Sequence, residues 1–229
     1  MSAGKIVLLV FGVIILLVSF GLMASGGALI WADNTLKDSE GFYTTETVQL
    51  ERDSYAIVTP SADIDLRTAW LWDWDDLATF KIEGSNNDSA KQIFIGVAEE
   101  SDVKAYLSGV EYDEITQFDI YPYRVDYRNH TGTSEPAVPT SETFWTASTH
   151  GAGTQTLEWE LETGNYVLVL MNTDGSAGVD LRTVVGAKVP LIFGLSLGFV
   201  IGGIVVLVIG GLMVYFAVRK SKITTGSPS

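Results

Sequence analysis

The chain has 229 residues, with 14 Lys+Arg against 28 Asp+Glu, two His, no Cys and a formal net charge of −14. Such an acidic balance lacks the basic footprint that phosphates require, which excludes nucleic acid as a partner. The absence of Cys excludes a disulfide framework, a thiol nucleophile and iron–sulfur clusters. Yet 47% of residues are hydrophobic, and acidity and hydropathy coexist only if charges and apolar residues are segregated along the chain.

They are segregated. Residues 6–32 and residues 189–218 carry no charge at all. A membrane-spanning helix needs roughly 20 apolar residues to cross ~30 Å of hydrocarbon, so each run predicts a transmembrane helix with length to spare for tilt. The first run has an alternative, a secretory signal after Lys5, cut among Ala24, Ser25, Gly26, Gly27 and Ala28. Leu29, Ile30 and Trp31 carry the apolar stretch beyond those small residues, past the roughly 7–15 residues of a signal core, which favours an uncleaved anchor.

Within the second run Gly194, Gly198, Gly202 and Gly210 recur at multiples of four and share one helix face. Glycines so spaced let backbones approach closely, which drives helix association where lipid removes the hydrophobic force. Gly21 with Ser25, and Ala24 with Ala28 and Ala32, predict a similar face on the first run. The pattern fits a hairpin of the two helices, a homo-oligomer, or assembly with another membrane protein.

The intervening segment 33–188 holds all 28 acidic residues and ten of the basic ones, a net charge of −18. Lys5, Arg219, Lys220 and Lys222 lie in the tails 1–5 and 219–229. The positive-inside rule then predicts a cell-membrane protein with both termini cytoplasmic and residues 33–188 extracytoplasmic, with the lipid bilayer as its first partner.

That segment alternates apolar and polar residues with turn residues between, and predicts strands over 47–50, 55–59, 63–67, 80–83, 93–98, 112–118, 121–127, 144–148, 156–161, 166–171 and 178–185. The run 166–171 is apolar throughout, as in a strand buried on both faces. Ser101 as N-cap, residues 102–108 as body and Gly109 as stop predict one short helix. Trp145 and Trp159 read as core. The fold class expected is an all-β extracytoplasmic sandwich, jelly-roll-like, flanked by two transmembrane α-helices. Two spans crossing to the same side require the ends of this domain to lie close together.

Chemistry is sparse. Gly194-Leu195-Ser196-Leu197-Gly198 matches a nucleophile elbow, but that motif needs a strand–turn–helix context and here lies within an apolar span. His130 and His150 both fall in the central segment, so neither supplies a base at membrane depth. Two isolated His without Cys argue against zinc or copper, and no cofactor is expected. The run 172–176 begins like a calcium loop but has Thr183 where the bidentate Glu belongs, and reads better as a turn. The most distinctive patch is Trp70, Leu71, Trp72, Asp73, Trp74, Asp75 and Asp76. Tryptophans interleaved with acids suit a carbohydrate platform or a partner-binding wedge, and equally an inward-packed strand. Asn87 and Asn129 head glycosylation sequons, the second at the start of a polar Pro- and Gly-containing run over 129–140 that predicts an exposed loop.

The segments IFIGVAEESDVKAYLSGVEYDEI (93–115), FWTASTHGAG (144–153) and TLEWELETGNYVLVLMNTDGSAGVDLRTVVGAKVP (156–190) resemble a family of uncharacterised two-span membrane proteins found in actinobacteria and archaea. The resemblance implies the architecture and no activity, and it does not reach the Trp70–Asp76 patch. The function expected is a non-enzymatic envelope binding or assembly component. The alternative is a carbohydrate- or calcium-binding accessory module of an envelope enzyme or transporter.

Overall fold

The computed structural model describes residues 3–65, 79–120, 123–189 and 191–219. In chain order it has α1 (Ala3–Thr35), β1 (Tyr43–Thr44), β2 (Val48–Arg52), β3 (Ala56–Val58), β4 (Ala62–Ile64) and β5 (Thr79–Asn86). Then come β6 (Ile93–Glu99), α2 (Glu100–Tyr106), β7 (Tyr112–Ile120), β8 (Tyr123–His130) and a 3-10 turn (Pro139–Ser141). The chain ends with β9 (Ala147–Gly151), β10 (Gln155–Glu160), β11 (Gly164–Asn172), β12 (Val179–Lys188) and α3 (Leu191–Val218). Two compact units result, the terminal helices in one and residues 37–189 in the other.

In the helical unit, α1 and α3 are proline-free apolar runs in which every interior backbone group bonds within its own helix, as a bilayer demands. The end of α1 is fixed by Asn34, whose Nδ2 donates to the Ile30 carbonyl at 2.8 Å. Leu17 is 67% exposed and Phe20 61%, exposure that a core helix of a water-soluble protein would not leave. Both helices are long and apolar enough to cross a membrane, and contact with the bilayer follows.

The helices run antiparallel along a seam of small residues. On α1 the buried positions are Gly12, Ser19, Gly26 and Asp33, each seven residues from the next. On α3 they are Ser196, Gly203, Gly210 and Ala217, again seven apart. Opposing members meet: a Cβ at Gly210 would lie 3.2 Å from the Gly12 carbonyl oxygen, one at Gly203 3.2 Å from that of Ser19, and one at Gly26 2.8 Å from that of Ser196. Seven is the period that keeps one seam in register along two supercoiled helices. The hydroxyls of Ser19 and Ser196 donate to carbonyls three residues back, Leu16 and Phe193, so their smallness rather than their polarity serves the seam.

The other unit is the expected β-sandwich. One sheet is ordered β1–β12–β5–β10, with β2 also on β12. The second is ordered β8–β7–β3–β11–β6–β9, with β4 also on β11, and is antiparallel except for the β3–β7 pair. Between the sheets Leu50, Ile82, Leu157, Trp159 and Leu181 of the first meet Ile57, Ile93, Ile95, Val97, Tyr166 and Leu170 of the second. The second sheet is buried on its other face too: Ala56, Val58, Phe94, Val167, Val169 and Met171 lie under Val103, Leu107, Tyr106, Phe144 and Trp145. This double burial is why residues 167–171 carry no polar side chain. Trp145 is pinned by its indole N–H, which donates to the Pro139 carbonyl at 2.9 Å.

The sandwich's two ends do lie together, because β1 pairs with β12 through Tyr43↔Ala187 and Thr44↔Gly186. The short helix begins earlier than its sequence suggests. Glu99, not Ser101, is the N-cap, without a side-chain bond, because β6 runs directly into α2. Gly109 does turn the chain after it, at φ +78°.

Candidate functional site

The patch Trp70, Trp72, Trp74, Asp73, Asp75 and Asp76 lies outside the described residues. The glycines do not share one environment. Only Gly210 packs against α1, while Gly194, Gly198 and Gly202 have no non-local atom within 4 Å of where a Cβ would stand. Against α3 it is Gly12, Ser19 and Gly26 of α1 that are buried, while Gly21, Ala24, Ser25 and Ala28 are exposed in the pair. The sevenfold spacing is plain in the sequence and was obscured by the shorter glycine repeat.

Ser196 is buried in the helix pair with its hydroxyl bound to Phe193, and His150 is exposed on the edge strand β9, paired with Phe94. The turn reading of 172–176 holds in its hydrogen bonds. The wholly buried Asn172 donates through Nδ2 to the Ser176 and Gly178 carbonyls at 2.9 and 3.1 Å and accepts from Asn86 at 2.8 Å. Among the described residues no cluster of His, Asp and Glu has the arrangement to hold a metal. Asn87 is half-buried with its amide on the Asp180 carboxylate. Asn129 lies in β8 rather than in a loop, is exposed, and its amide donates to Glu111 and Asp113 at 3.3 and 3.4 Å.

Three polar constellations that the sequence reading passed over organise the sandwich. Lys81, on the outer face of β5, is only 2% exposed because residues 38–42 cover it. Its Nζ meets Asp38 at 2.7 Å, Glu40 at 2.9 Å and Glu83 at 3.1 Å, and lies 4.5 Å from the Phe42 ring centroid. Burial alone would lower the lysine's pKa, and the three carboxylates overcome that and raise it. The hydrogen bond from Lys81, with those from the backbone of Phe42 and Glu40, lowers the Asp38 carboxyl to about 2. This clamp fixes the stretch that leads into β1.

A second ion pair joins the sheets: Arg52 of β2 reaches Asp113 of β7 at 2.8 Å, with its guanidinium 4.7 Å from the Tyr127 ring centroid. Burial pushes the Asp113 carboxyl up, but hydrogen bonds from Arg52, Ser54 and Asn129 outweigh it and hold the group below the usual range.

The third constellation lines a groove of about 270 Å³ bounded by α2, β7 and β8. His130 Nε2 lies 2.8 Å from Glu114 and its ring stacks on Tyr112 at 4.3 Å, with the planes 5° apart. Arg128 approaches the same carboxylate at 3.5 Å, and Lys104 meets Glu100 at 2.6 Å. The Lys104 ammonium lowers the Glu100 pKa, and burial raises the Tyr112 phenol. Charges here neutralise one another around a floor of Val58, Val103 and Val167, an arrangement suited to holding a polar surface. No family model matches the chain, and no curated protein matches it.

Proposed function

We propose that this protein is a two-pass, non-enzymatic assembly component of the cell envelope, with both termini cytoplasmic, the acidic sandwich outside and copies associating in the membrane. One observation carries the assembly reading. The two helices satisfy each other along their seven-residue seams, and that leaves Gly194, Gly198 and Gly202 as a second, open face of small residues. In lipid such a face gains by close contact with another helix. The distribution of charge supports the orientation, since the tails are basic and the sandwich strongly acidic.

Subunit counting by single-molecule photobleaching in lipid vesicles tests the assembly. The native chain bleaches in more than one step, and Gly198→Leu reduces it to one. A single step for the native chain overturns the reading. The absence of Cys makes orientation testable as well: Ser89→Cys labels with an impermeant maleimide on intact cells and Ser221→Cys does not. The reverse pattern would invert the topology.

A further inference from the structure

Two Asn-x-Ser/Thr sequons, Asn87-Asp88-Ser89 and Asn129-His130-Thr131, stand in the sandwich in different settings. The first is folded into the turn between β5 and β6, where the backbone N–H groups of Asp88 and Ala90 donate to the Asn86 and Asp88 side chains at 2.9 Å. Asn87 is half-buried there and tied twice to Asp180, by its backbone N–H to the carbonyl at 2.9 Å and by its amide to the carboxylate at 2.5 Å. A sugar on that amide nitrogen has to part the second tie and leave the carboxylate without its donor.

The second sequon lies at the end of β8, and both residues that it needs, Asn129 and Thr131, are exposed. The residues alternating with them anchor the chain: the His130 ring stacks on Tyr112 at 4.3 Å, and a Cβ at Gly132 would run into the Gly109 carbonyl. The contacts of the Asn129 amide, 3.3 Å to Glu111 and 3.4 Å to Asp113, are long, and an amide that carries a sugar keeps one N–H for them. The place of β8 is a second, independent observation. Among the described residues it pairs with β7 alone and so ends its sheet. A free edge is a template for another strand unless something bulky or charged stands on it. Arg124, Asp126 and Arg128 guard that edge with charge, and the stretch past them has the sequon instead.

From these two settings we infer that Asn129, and not Asn87, is an N-glycosylation site, and that its bulky, solvated glycan covers the free end of the β8 edge. The donor is an oligosaccharide on a polyprenyl phosphate carrier, presented by a membrane-bound transferase outside the cell membrane. The Asn129 Nδ2 bonds to C1 of the first sugar, the bond from C1 to the carrier's phosphate oxygen breaks, the phosphate leaves with the electron pair, and the amide gives up one proton. This inference rests on the extracytoplasmic placement of the sandwich and is independent of how copies assemble.

The test is mass spectrometry of the full chain, purified from the membranes of its own cells and digested. The peptide that holds Asn129 carries the added mass of a saccharide, lost in sugar-sized steps on fragmentation, and the peptide that holds Asn87 has its bare mass. Thr131→Ala and Asn129→Gln each abolish the addition, Thr131→Ser keeps the hydroxyl and retains it, and Asn87→Gln leaves it unchanged. Thr131 is exposed, so Thr131→Ala keeps the melting of the sandwich and its loss of saccharide is not a loss of fold. A bare Asn129 in cells where Ser89→Cys reacts with the impermeant maleimide overturns the inference and leaves the orientation standing. A bare Asn129 with Ser89→Cys protected and Ser221→Cys labelled overturns both. A saccharide on Asn87, or an addition at Asn129 that survives Thr131→Ala, also overturns the inference.

Discussion

The helical unit and the sandwich solve the packing problem with opposite residues. Between α1 and α3 the seam is built from Gly, Ser and Ala, while Leu17, Phe20 and Val205 face outward. Between the sheets the seam is Ile, Leu, Val and Trp, and the outer strand faces carry Glu158 and Glu160. Water makes large apolar side chains worth burying, and hydrocarbon does not. In hydrocarbon the gain comes from bringing backbones close, which large side chains prevent. One chain therefore carries two rules for reading a core, and a residue informative under one is silent under the other.

The sharpest way to test that contrast is to shrink or enlarge a residue on each side. Leu181→Ala in the wholly buried centre of the sandwich leaves a cavity and costs about 3–5 kcal/mol, read as a loss of denaturant midpoint. Enlargement is what damages the helix seam. Gly203→Leu, whose Cβ would start 2.6 Å from Met23 Cγ, costs about 1–3 kcal/mol of pairing. It reduces the yield of a disulfide placed across α1 and α3 while leaving the sandwich's melting unchanged.

A smaller effect comes from acid. Asp38 is free at 3.8 in the unfolded chain and lowered to about 2 in the folded one, so its contribution is complete above pH 4 and is lost as pH falls towards 2. Circular dichroism between pH 4 and 2 should show the sandwich weakening, and Asp38→Asn should remove that part of the slope. Smallest of all is Gly198→Ala, which fills open space and changes hairpin cross-linking by less than about 0.5 kcal/mol. A large loss there would mean that the open face belongs to the hairpin.

Strands were legible because a sandwich imposes period two on every strand it half-buries, as in β2 and β10, and a continuous apolar run on a strand buried on both faces, as in β11. β1 was not, since two residues hold no period and their pairing depends on β12, more than 140 residues away. The start of α2 was misplaced because Ser101 has the chemistry of a cap, while the position of the end of β6 decided the matter. Lys81 was invisible for a different reason. It alternates correctly with Phe80 and Ile82 as an outward residue, and nothing local says that a loop 40 residues upstream covers it. The glycines were read at a spacing of four, where three of the four named have open space, while the seam follows seven. The tryptophan patch gave the boldest sequence signal and lies outside the described residues, so its role rests on its composition alone.

The pairing of Tyr43 with Ala187 has a mechanical consequence. The strand entering the sandwich and the strand leaving it are antiparallel neighbours, so tension between the membrane anchors pulls both from the same end. Load applied that way parts hydrogen bonds one pair at a time rather than shearing a whole strand, and the β1–β12 stem yields before the force reaches Leu181. Lys81, gripping Asp38 and Glu40 just ahead of that stem, is the first bolt to be loaded. With two residue pairs, the β1–β12 stem has far less to part than the eight-pair β12–β5 ladder beside it.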